Sequence, residues 1–287
     1  MASMRDIKRR KESIQSTGQI TKAMKLVATV KLQKAKARAE GTQPYFKAMY
    51  DAVKSILKKS SNLNHPFLNT ETSGKKGIIL ITSNRGLAGG YNSNVIKLVT
   101  GSGMKKEDIV IYAGGRKGRD GLARKGYTIA QDYSEAINEP LFSDASEIGR
   151  QVLSDFTEGK IGEIYLAYTE FRNTVSHIPT LIRLLPVAFE DDGTETDKTD
   201  DLIPMNYEPE PEEALELIIP KYVNSLIYGG LVQSVASENG ARMQAMDSAT
   251  NNADEMISDL GLKYNRARQS SITQELTEII AGANAIS

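Results

Sequence analysis

The chain of 287 residues carries 36 Lys and Arg, 36 Asp and Glu and two histidines, and it has no cysteine or tryptophan. Without cysteine, a disulfide framework, a thiolate zinc site and a cysteine nucleophile are excluded. The balanced total conceals a separation of charge: residues 1–60 hold 15 basic against 4 acidic residues, whereas residues 186–216 hold 1 against 12. This separation indicates that different parts of the surface meet different partners.

The first predicted element is a long helix within residues 1–58. Apolar or small side chains recur at spacings of three, four and seven residues, which is typical of an apolar stripe along a helix. The stripe comprises Met4, Ile7, Ile14, Thr21, Met24, Ala28, Leu32, Ala35 and Ala39. Ile20, Val27 and Val30 fall off the stripe, so we expect this segment to contact both a partner helix and something outside. Pro44 is expected to kink the helix or end it, because proline lacks the amide donor.

A polar linker over residues 59–76 leads into a region where short apolar strands alternate with helices. Residues 77–82 (Gly-Ile-Ile-Leu-Ile-Thr) form an uninterrupted apolar run, which is typical of a strand buried on both faces. The alternation predicts a small, largely parallel, Rossmann-like α/β domain over residues 77–206. Further strands are expected near 108–113, 127–131, 163–171 and 180–189, and helices near 91–100, 118–124 and 143–157.

The last predicted element is a helix within residues 207–287. Pro209 and Pro211, followed by two glutamates, favour a helix start. A repeat of seven residues follows, which is typical of a coiled coil. It comprises Met246, Ala253, Leu260 and Ala267, with Ala249 and Met256 at the offset position. Pro220 and several glycines predict bends in this helix.

The terminal helices flank one compact insertion, so the chain leaves along one and returns along the other. We therefore expect residues 1–58 and 207–287 to form an antiparallel two-stranded coiled coil. Its core is rich in alanine, which permits close approach but buries little area, at about 25 cal/mol per Å² of apolar surface. So thin a core predicts a partner that surrounds the coil.

Glycine-rich turns after two predicted strands are the candidates for a nucleotide site. Residues 86–90 (Gly-Leu-Ala-Gly-Gly) and 114–118 (Gly-Gly-Arg-Lys-Gly) resemble phosphate-binding loops, but neither matches the dinucleotide or P-loop pattern. Tight strand-to-helix turns are the favoured interpretation. His65 and His177 lack a second ligand at metal spacing, and the acidic run 190–201 lacks the apolar pocket that acid-base catalysis requires. We therefore predict no catalytic residue, no metal and no cofactor.

Three further features concern partners. Residues 1–43 contain no aromatic side chain among their basic residues, which favours an acidic protein surface over nucleic acid and leaves a solvated face as an alternative. The uncharged run 222–237 is too short to span a bilayer, and the first ten residues lack the apolar core of a secretory signal. The last nine residues, 279–287, are uncharged. They predict either a frayed tail or a tip inside an apolar sleeve of another protein.

Several stretches resemble the gamma subunit of F-type ATP synthases. The main one is Ile-Thr-Gln-Glu-Leu-Thr-Glu-Ile-Ile-Ala-Gly-Ala at residues 272–283. The other stretches are Ser-Glu-Asn-Gly-Ala-Arg-Met-Gln-Ala-Met at 237–246, Tyr-Asn-Arg-Ala-Arg-Gln at 264–269, Ile-Thr-Lys-Ala-Met-Lys-Leu-Val-Ala at 20–28 and Arg-Gly-Leu-Ala-Gly-Gly at 85–90. The likeness extends over essentially the whole chain.

This resemblance implies a rotor that performs no bond chemistry itself. The terminal helices would form a bent, asymmetric shaft inside a ring of three alpha and three beta subunits, and the α/β domain would lie at the membrane-proximal end with the epsilon subunit and the c-ring. Torque would pass between the c-ring and the catalytic hexamer during proton-coupled ATP synthesis or hydrolysis. A nucleotide-binding α/β enzyme and a free-standing coiled-coil scaffold remain the alternatives.

At the matching positions, the resemblance also implies individual contacts. Rotor-to-stator contacts are implied at Met24, Arg242, Arg268, Gln269 and Thr273. Sleeve contacts are implied at Ile279, Ile280 and Ile286, and a foot near the c-ring and epsilon at Tyr207 and Glu208. No cysteine-bearing regulatory insertion of the plastid kind is present. The chain starts directly with the helix, so we expect a bacterial, peripheral protein on the cytoplasmic face of the plasma membrane, although a mature mitochondrial chain could start alike.

Overall fold

The computed structural model describes residues 4–59, 67–68, 74–187 and 211–286. Within them, two long helices bracket an α/β domain. The helices are α1 (Met4–Lys59), α2 (Tyr91–Thr100), α3 (Arg116–Arg124), α4 (Phe142–Thr157) and α5 (Pro211–Ile286), and a 3-10 helix spans Lys106–Asp108. The strands are β1 (Lys76–Ile81), β2 (Ile109–Gly114), β3 (Thr128–Asp132), β4 (Glu163–Phe171) and β5 (His177–Leu185). None of the helices in the described part of the chain has both the length and the apolar character needed to cross a membrane.

The five strands form one sheet in the order β3-β2-β1-β4-β5. The β1–β2, β2–β3 and β1–β4 pairs are parallel, and β5 runs antiparallel to β4 at one edge. The apolar run of β1 is buried on both faces, as predicted: Ile78 and Leu80 pack with residues of α2 and α3, whereas Ile79 and Ile81 pack with residues of α4 and α5. The prediction of a largely parallel α/β domain is therefore confirmed.

The last strand begins earlier than expected. The sequence predicts the strand from residue 180, but His177 pairs with Phe171 and is the first residue of β5. The intervening turn is short because the Asn173 side-chain oxygen accepts the backbone N–H groups of Val175 (2.9 Å) and Ser176 (2.7 Å). Those two bonds close the turn within five residues, which leaves His177 free to join the ladder.

Neither internal proline ends its helix. The expectation that Pro44 could end the first helix is wrong, because α1 continues from Met4 to Lys59. A proline removes one hydrogen bond from a helix interior, but tertiary packing supplies most of a helix's stability, and Val53 beyond the proline is completely buried. The C-terminal helix α5 likewise continues through Pro220, and it begins at Pro211 as the sequence favours.

The chain forms two compact units. One comprises Met1–Thr29 with Arg242–Ser287, and the other comprises Val30–Ala241. Helices α1 and α5 contribute residues to both units. The predicted foot at Tyr207 and Glu208 lies outside the described residues. So do His65, the acidic run 190–201 and the domain boundary at 206/207.

Candidate functional site

Polar side chains define how the two helices pair within the first unit. Lys25 Nζ lies 2.6 Å from Asp247 Oδ1, and the hydroxyl oxygens of Thr21 and Thr250 lie 2.8 Å apart. A step of four residues forward along α1 thus corresponds to three residues backward along α5. The paired residue numbers add to 271 or 272, so the helices run antiparallel, as predicted.

The core of this helix pair is thin. A Cβ atom placed on Gly18 would lie 3.3 Å from the Cβ of Ala253, so the backbones approach closely there. The buried apolar residues of this unit are Ala28, Met246, Ala253 and Leu260. The seven-residue repeat on α5 therefore does face α1. The prediction that Met256 packs in the core of the coiled coil is wrong, because its side chain is 53% exposed. The core is so narrow that it has room for only one stripe of residues from α5.

Large apolar side chains lie on the outside of the same helix pair. Ile20 and Val27, which fall off the predicted stripe, are exposed, and so is Leu26, which the sequence analysis did not single out. Exposed apolar residues that are clustered rather than scattered mark interaction surfaces. This part of α1 thus has one apolar side toward α5 and another available to a partner.

The end of α5 extends beyond the start of α1. The described part of α1 begins at Met4, and the register places Met4 beside about residue 268. The remaining residues, about 18 of them, form on the order of 27 Å of helix at 1.5 Å per residue. Their large apolar side chains are exposed: Ile272, Leu276, Ile279 and Ile280. The side chain of Ile286 is not among those described.

The five predicted rotor-to-stator contacts do not meet in one place. Met24 is half-buried beside the Lys25–Asp247 pair, and Arg242 is partly buried about 9 Å further along α5. Arg268 and Gln269 are exposed, on the order of 30 Å away in the other direction. Thr273 is exposed too, and its hydroxyl donates to the Gln269 carbonyl oxygen at 2.9 Å. The predicted contacts are therefore distributed along a surface rather than gathered into a pocket.

Glycines in the turn 114–118 allow α3 and β1 to pack closely. Gly115 has a φ of +133°, and a Cβ there would lie 2.2 Å from the Thr82 carbonyl oxygen. The backbone N–H of Gly118 donates to Thr82 Oγ1 at 2.9 Å, and a Cβ on Gly118 would lie 2.6 Å from Leu80 Cδ2. These glycines let the start of α3 lie directly on the end of β1, as the favoured interpretation of a tight turn requires.

The turn at 86–90 is also held internally. Asn92 Oδ1 accepts from the backbone N–H of Ser83 (2.9 Å), and Asn92 Nδ2 donates to Ser83 Oγ (2.7 Å). The Ser83 hydroxyl in turn donates to the Arg85 carbonyl oxygen at 2.6 Å. Within this turn, Leu87 has a φ of +62° and is 64% exposed. A leucine in the left-handed region costs about 1 kcal/mol or more, and nothing in the sequence distinguishes it from an ordinary turn residue.

The crevice where α/β domains usually bind ligands is bordered by α5. Such ligands bind at the carboxyl ends of strands where the strand order reverses, which here is between β1 and β4. A Cβ on Gly230 of α5 would lie 3.3 Å from Ile81 Cδ1 at the end of β1. On β4, the Thr169 N–H donates to Ser234 Oγ at 3.3 Å, and Ser237 Oγ donates to the Thr169 carbonyl oxygen at 3.1 Å. The helix α5 therefore packs against both strands at this point of the sheet.

A buried carboxylate in the α/β domain belongs to a closed hydrogen-bond network. Asp155 is 6% exposed and accepts from Tyr112 Oη (2.6 Å), Lys160 Nζ (2.9 Å) and Gln151 Nε2 (3.2 Å). Burial opposes ionisation, but these hydrogen bonds outweigh it, so the pKa of Asp155 is lowered. Burial and the same carboxylate raise the pKa of Tyr112. Among the described residues, no group of three or more His, Asp or Glu is placed to hold a metal ion.

Comparison with known proteins identifies the family. The model of the ATP synthase family matches residues 3–286. An ATP synthase gamma chain of Lachnoclostridium phytofermentans is 70% identical over all of both chains. A sodium-ion-specific gamma chain of Acetobacterium woodii is 43% identical over 99% of each. A chain of the Euglena gracilis mitochondrial ATP synthase, from a structure of its OSCP, F1 and c-ring, has the same fold, with a TM-score of 0.71 at 17% identity over 99% of this chain and 94% of that one. The chain belongs to the family of ATP synthase gamma chains.

Proposed function

We propose that the chain is the rotor subunit of the central stalk of a proton-translocating ATP synthase. It would transmit torque between the c-ring and the catalytic hexamer of three alpha and three beta subunits, during ATP synthesis or ATP hydrolysis. The observation that carries this proposal is the helix pair of the first unit. It combines a thin core with exposed apolar side chains and an apolar tip of single helix.

If other subunits enclose the helix pair, they cover the apolar side chains that are exposed in the isolated chain. Exposed apolar residues promote aggregation unless a partner covers them. The uncharged end of α5 would be unfavourable in water, but inside an apolar collar it offers few charges that could form ion pairs with the wall. We propose that Ile279, Ile280 and Ile286 lie in this collar. The thin core of the coil is then stabilised by the surrounding subunits as well as by its own packing.

The contacts with the hexamer would be polar and adaptable. We propose that Met24, Arg242, Arg268, Gln269 and Thr273 contact loops of the alpha and beta subunits. Their spread along the helix pair suits a shaft that touches the stator at several levels. Arg268 and Gln269 are exposed donors, and Met24 contributes a neutral, flexible side chain that can repack as the contact changes. Electrostatic complementarity would determine which partner binds and in which register, and it would contribute less to the affinity.

The second unit would connect the shaft to the membrane sector. We propose that the α/β domain, with Tyr207 and Glu208 as its foot, meets the epsilon subunit and the c-ring, and that the functional domains divide at 58, 76 and 206. The chain would catalyse no reaction itself, and the close packing of the glycine turn between β1 and α3 supports this view. We place it as a peripheral protein on the cytoplasmic face of a bacterial plasma membrane.

Reconstitution of the rotor tests the proposal. The chain would be co-expressed with the alpha and beta subunits of the Lachnoclostridium phytofermentans enzyme, whose gamma chain is 70% identical. Because the chain has no cysteine, Lys125→Cys places a single thiol at an exposed site of the α/β domain for attachment of a bead. We expect one copy of the chain for three alpha and three beta subunits, and rotation of the bead on addition of ATP. A bead on an alpha subunit of the immobilised complex should stay still.

Two results would overturn the proposal. One is a complex that hydrolyses ATP while the bead on residue 125 never turns. The other is a chain that does not join alpha and beta. In that case, nucleotide binding by the isolated chain would favour an α/β enzyme, and a stable oligomer of this chain alone would favour a coiled-coil scaffold.

A further inference from the structure

The histidine at the start of β5 packs directly against the backbone of α5. A Cβ atom on Gly240 would lie 2.6 Å from His177 Cε1 and 3.2 Å from His177 Nε2, so only glycine leaves room for the ring at this level of the helix. On its other side, the imidazole lies 5.9 Å from the Phe171 ring, centroid to centroid. The ring is thus held between the hairpin of β4 and β5 and one turn of α5.

Both nitrogens of this ring are buried and lack a well-formed hydrogen bond. Within the described part of the chain, neither His177 Nδ1 nor His177 Nε2 has a hydrogen-bond partner of good geometry, and the ring's only polar interaction is with the backbone of Thr174. Burial lowers the pKa of His177, and the nearby backbone of Thr174 opposes the shift only in part. A neutral imidazole leaves one donor and one acceptor unsatisfied at this site, whereas a charged ring would bring two N–H donors and a full charge into it.

Among the described residues, no acid forms a hydrogen bond with the His177 ring. On β4, Glu170 faces Arg172 in an ion pair of 3.5 Å. On α5, Ser237, one turn before Gly240, donates to a carbonyl oxygen of β4. The charged residues nearest to Gly240 in sequence are Glu238 and Arg242, and both already take part in other interactions. Within the described part of the chain, protonation of the ring therefore gains no hydrogen bond to a carboxylate.

We propose that the contact between His177 and Gly240 is a pH-sensitive latch, which holds α5 against the hairpin of β4 and β5 while the imidazole is neutral. A proton on the ring must be solvated, so the charged side chain leaves the contact and the turn of α5 around Gly240 loosens from the hairpin. The latch acts at the end of the second unit, one residue before Ala241. It does not depend on the proposed rotor function, because it involves only residues of this unit.

The sign of the pH dependence follows from the direction of the pKa shift. The folded contact binds a proton less readily than an exposed histidine, whose pKa is about 6.5. The stabilisation is complete above that value, and it is lost as the pH falls through it toward the lowered pKa of the contact. At pH 5.5, an opened contact with an ordinary histidine is protonated about ten times more often than not, so the population of the open state rises by up to about tenfold.

Two measurements on the full chain test the latch. In a His65→Asn background, His177 is the one remaining histidine, so its pKa can be read from the carbon-13 shift of Cε1. We expect a pKa below 6.5. Hydrogen exchange monitored by mass spectrometry then follows the segment 235–241. After correction for the intrinsic rate, its protection should fall by up to about tenfold between pH 7.5 and pH 5.5.

Two variants separate the latch from general acid sensitivity. His177→Phe keeps an aromatic ring between Phe171 and Gly240 but cannot be protonated, so the protection of 235–241 should become independent of pH. Gly240→Ala places a methyl group where the imidazole lies, so the pKa of His177 should return to about 6.5. A pKa at or above 6.5 in the unaltered chain, or the same pH-dependent loss of protection in His177→Phe, would overturn the proposal.

Discussion

The α/β domain and the helix pair are stabilised in different ways. In the α/β domain, large aliphatic side chains are almost completely buried on both faces of the sheet; Ile78, Ile79, Leu80 and Ile81 are each exposed by 1% or less. In the helix pair, the buried residues are small or few, and most of the surface of α5 after Leu260 is exposed. Burial of a large aliphatic side chain contributes roughly 1.5 to 3 kcal/mol, and alanine far less.

This difference shows which part of the molecule carries its own stability. The α/β domain has the layered core of an independently stable domain, with helices on both faces of the sheet. The helix pair has a single narrow apolar seam, so the surrounding subunits proposed above would have to supply further stabilisation. The predictions below test this contrast, beginning with the largest expected effect on the free energy of unfolding.

The strongest effect is expected where α3 meets β1. Gly115→Ala would combine a φ of +133° with a Cβ 2.2 Å from the Thr82 carbonyl oxygen, so we expect the free energy of unfolding to fall by more than about 3 kcal/mol. The matched control is Gly41→Ala on α1, where a Cβ would meet nothing within 4 Å. That change should stabilise the chain by about 0.5 to 1 kcal/mol, because alanine is the better helix former. Urea denaturation of both variants measures the difference, and equal losses would refute the packing role of Gly115.

Truncation of one core residue in each region compares the two cores directly. Ile79→Ala in β1 should cost about 3 to 4 kcal/mol, because its site is enclosed and leaves a cavity. Leu260→Ala on α5 should cost about 1 to 2 kcal/mol, because its site is 9% exposed and lies in a narrow seam that water can reach. Since the two units could unfold separately, hydrogen exchange in β1 and in α5 should be followed for each variant. A larger loss for Leu260→Ala would contradict the contrast between the cores.

The buried carboxylate of the α/β domain provides a smaller effect with a pH signature. Asp155→Asn keeps the shape but weakens the bonds from Tyr112 and Lys160, so we expect a loss of about 1 to 3 kcal/mol at neutral pH. The pKa of Asp155 is lowered in the folded chain, so its contribution is complete above the unfolded value of about 3.9 and is lost as the pH falls through the lower folded value. The variant should lose this part of the acid dependence. Denaturation curves extended from pH 7 to below pH 3 would show it, and parallel curves for both proteins would exclude the network as its source.

The individual helices and strands could be predicted from the sequence better than the contacts between them. Continuous apolar residues in β1 and the seven-residue repeat on α5 determined what each element buries, because burial follows local periodicity. The register of the helix pair could not be predicted from the sequence, since a seam of alanines accepts several alignments. The Lys25–Asp247 and Thr21–Thr250 contacts that fix this register join residues more than 220 positions apart. The contacts of Ser234 and Ser237 with β4 could not be predicted from the sequence either, because they depend on where a distant helix crosses the sheet.

The smallest effect on stability is expected at Met24. Substitution of this residue also tests most directly whether the helix pair contacts a stator. Its side chain is half-buried beside the Lys25–Asp247 pair, so Met24→Lys can direct its new ammonium group outward, and the free energy of unfolding should change by no more than about 0.5 kcal/mol. If this surface turns against a stator, the added charge would form an ion pair that holds the rotor in one position. We therefore expect normal assembly with alpha and beta but slower ATP-driven proton pumping in vesicles, whereas Met24→Leu, which stays neutral, should pump normally. Unchanged pumping by Met24→Lys would show that this part of α1 does not meet the stator.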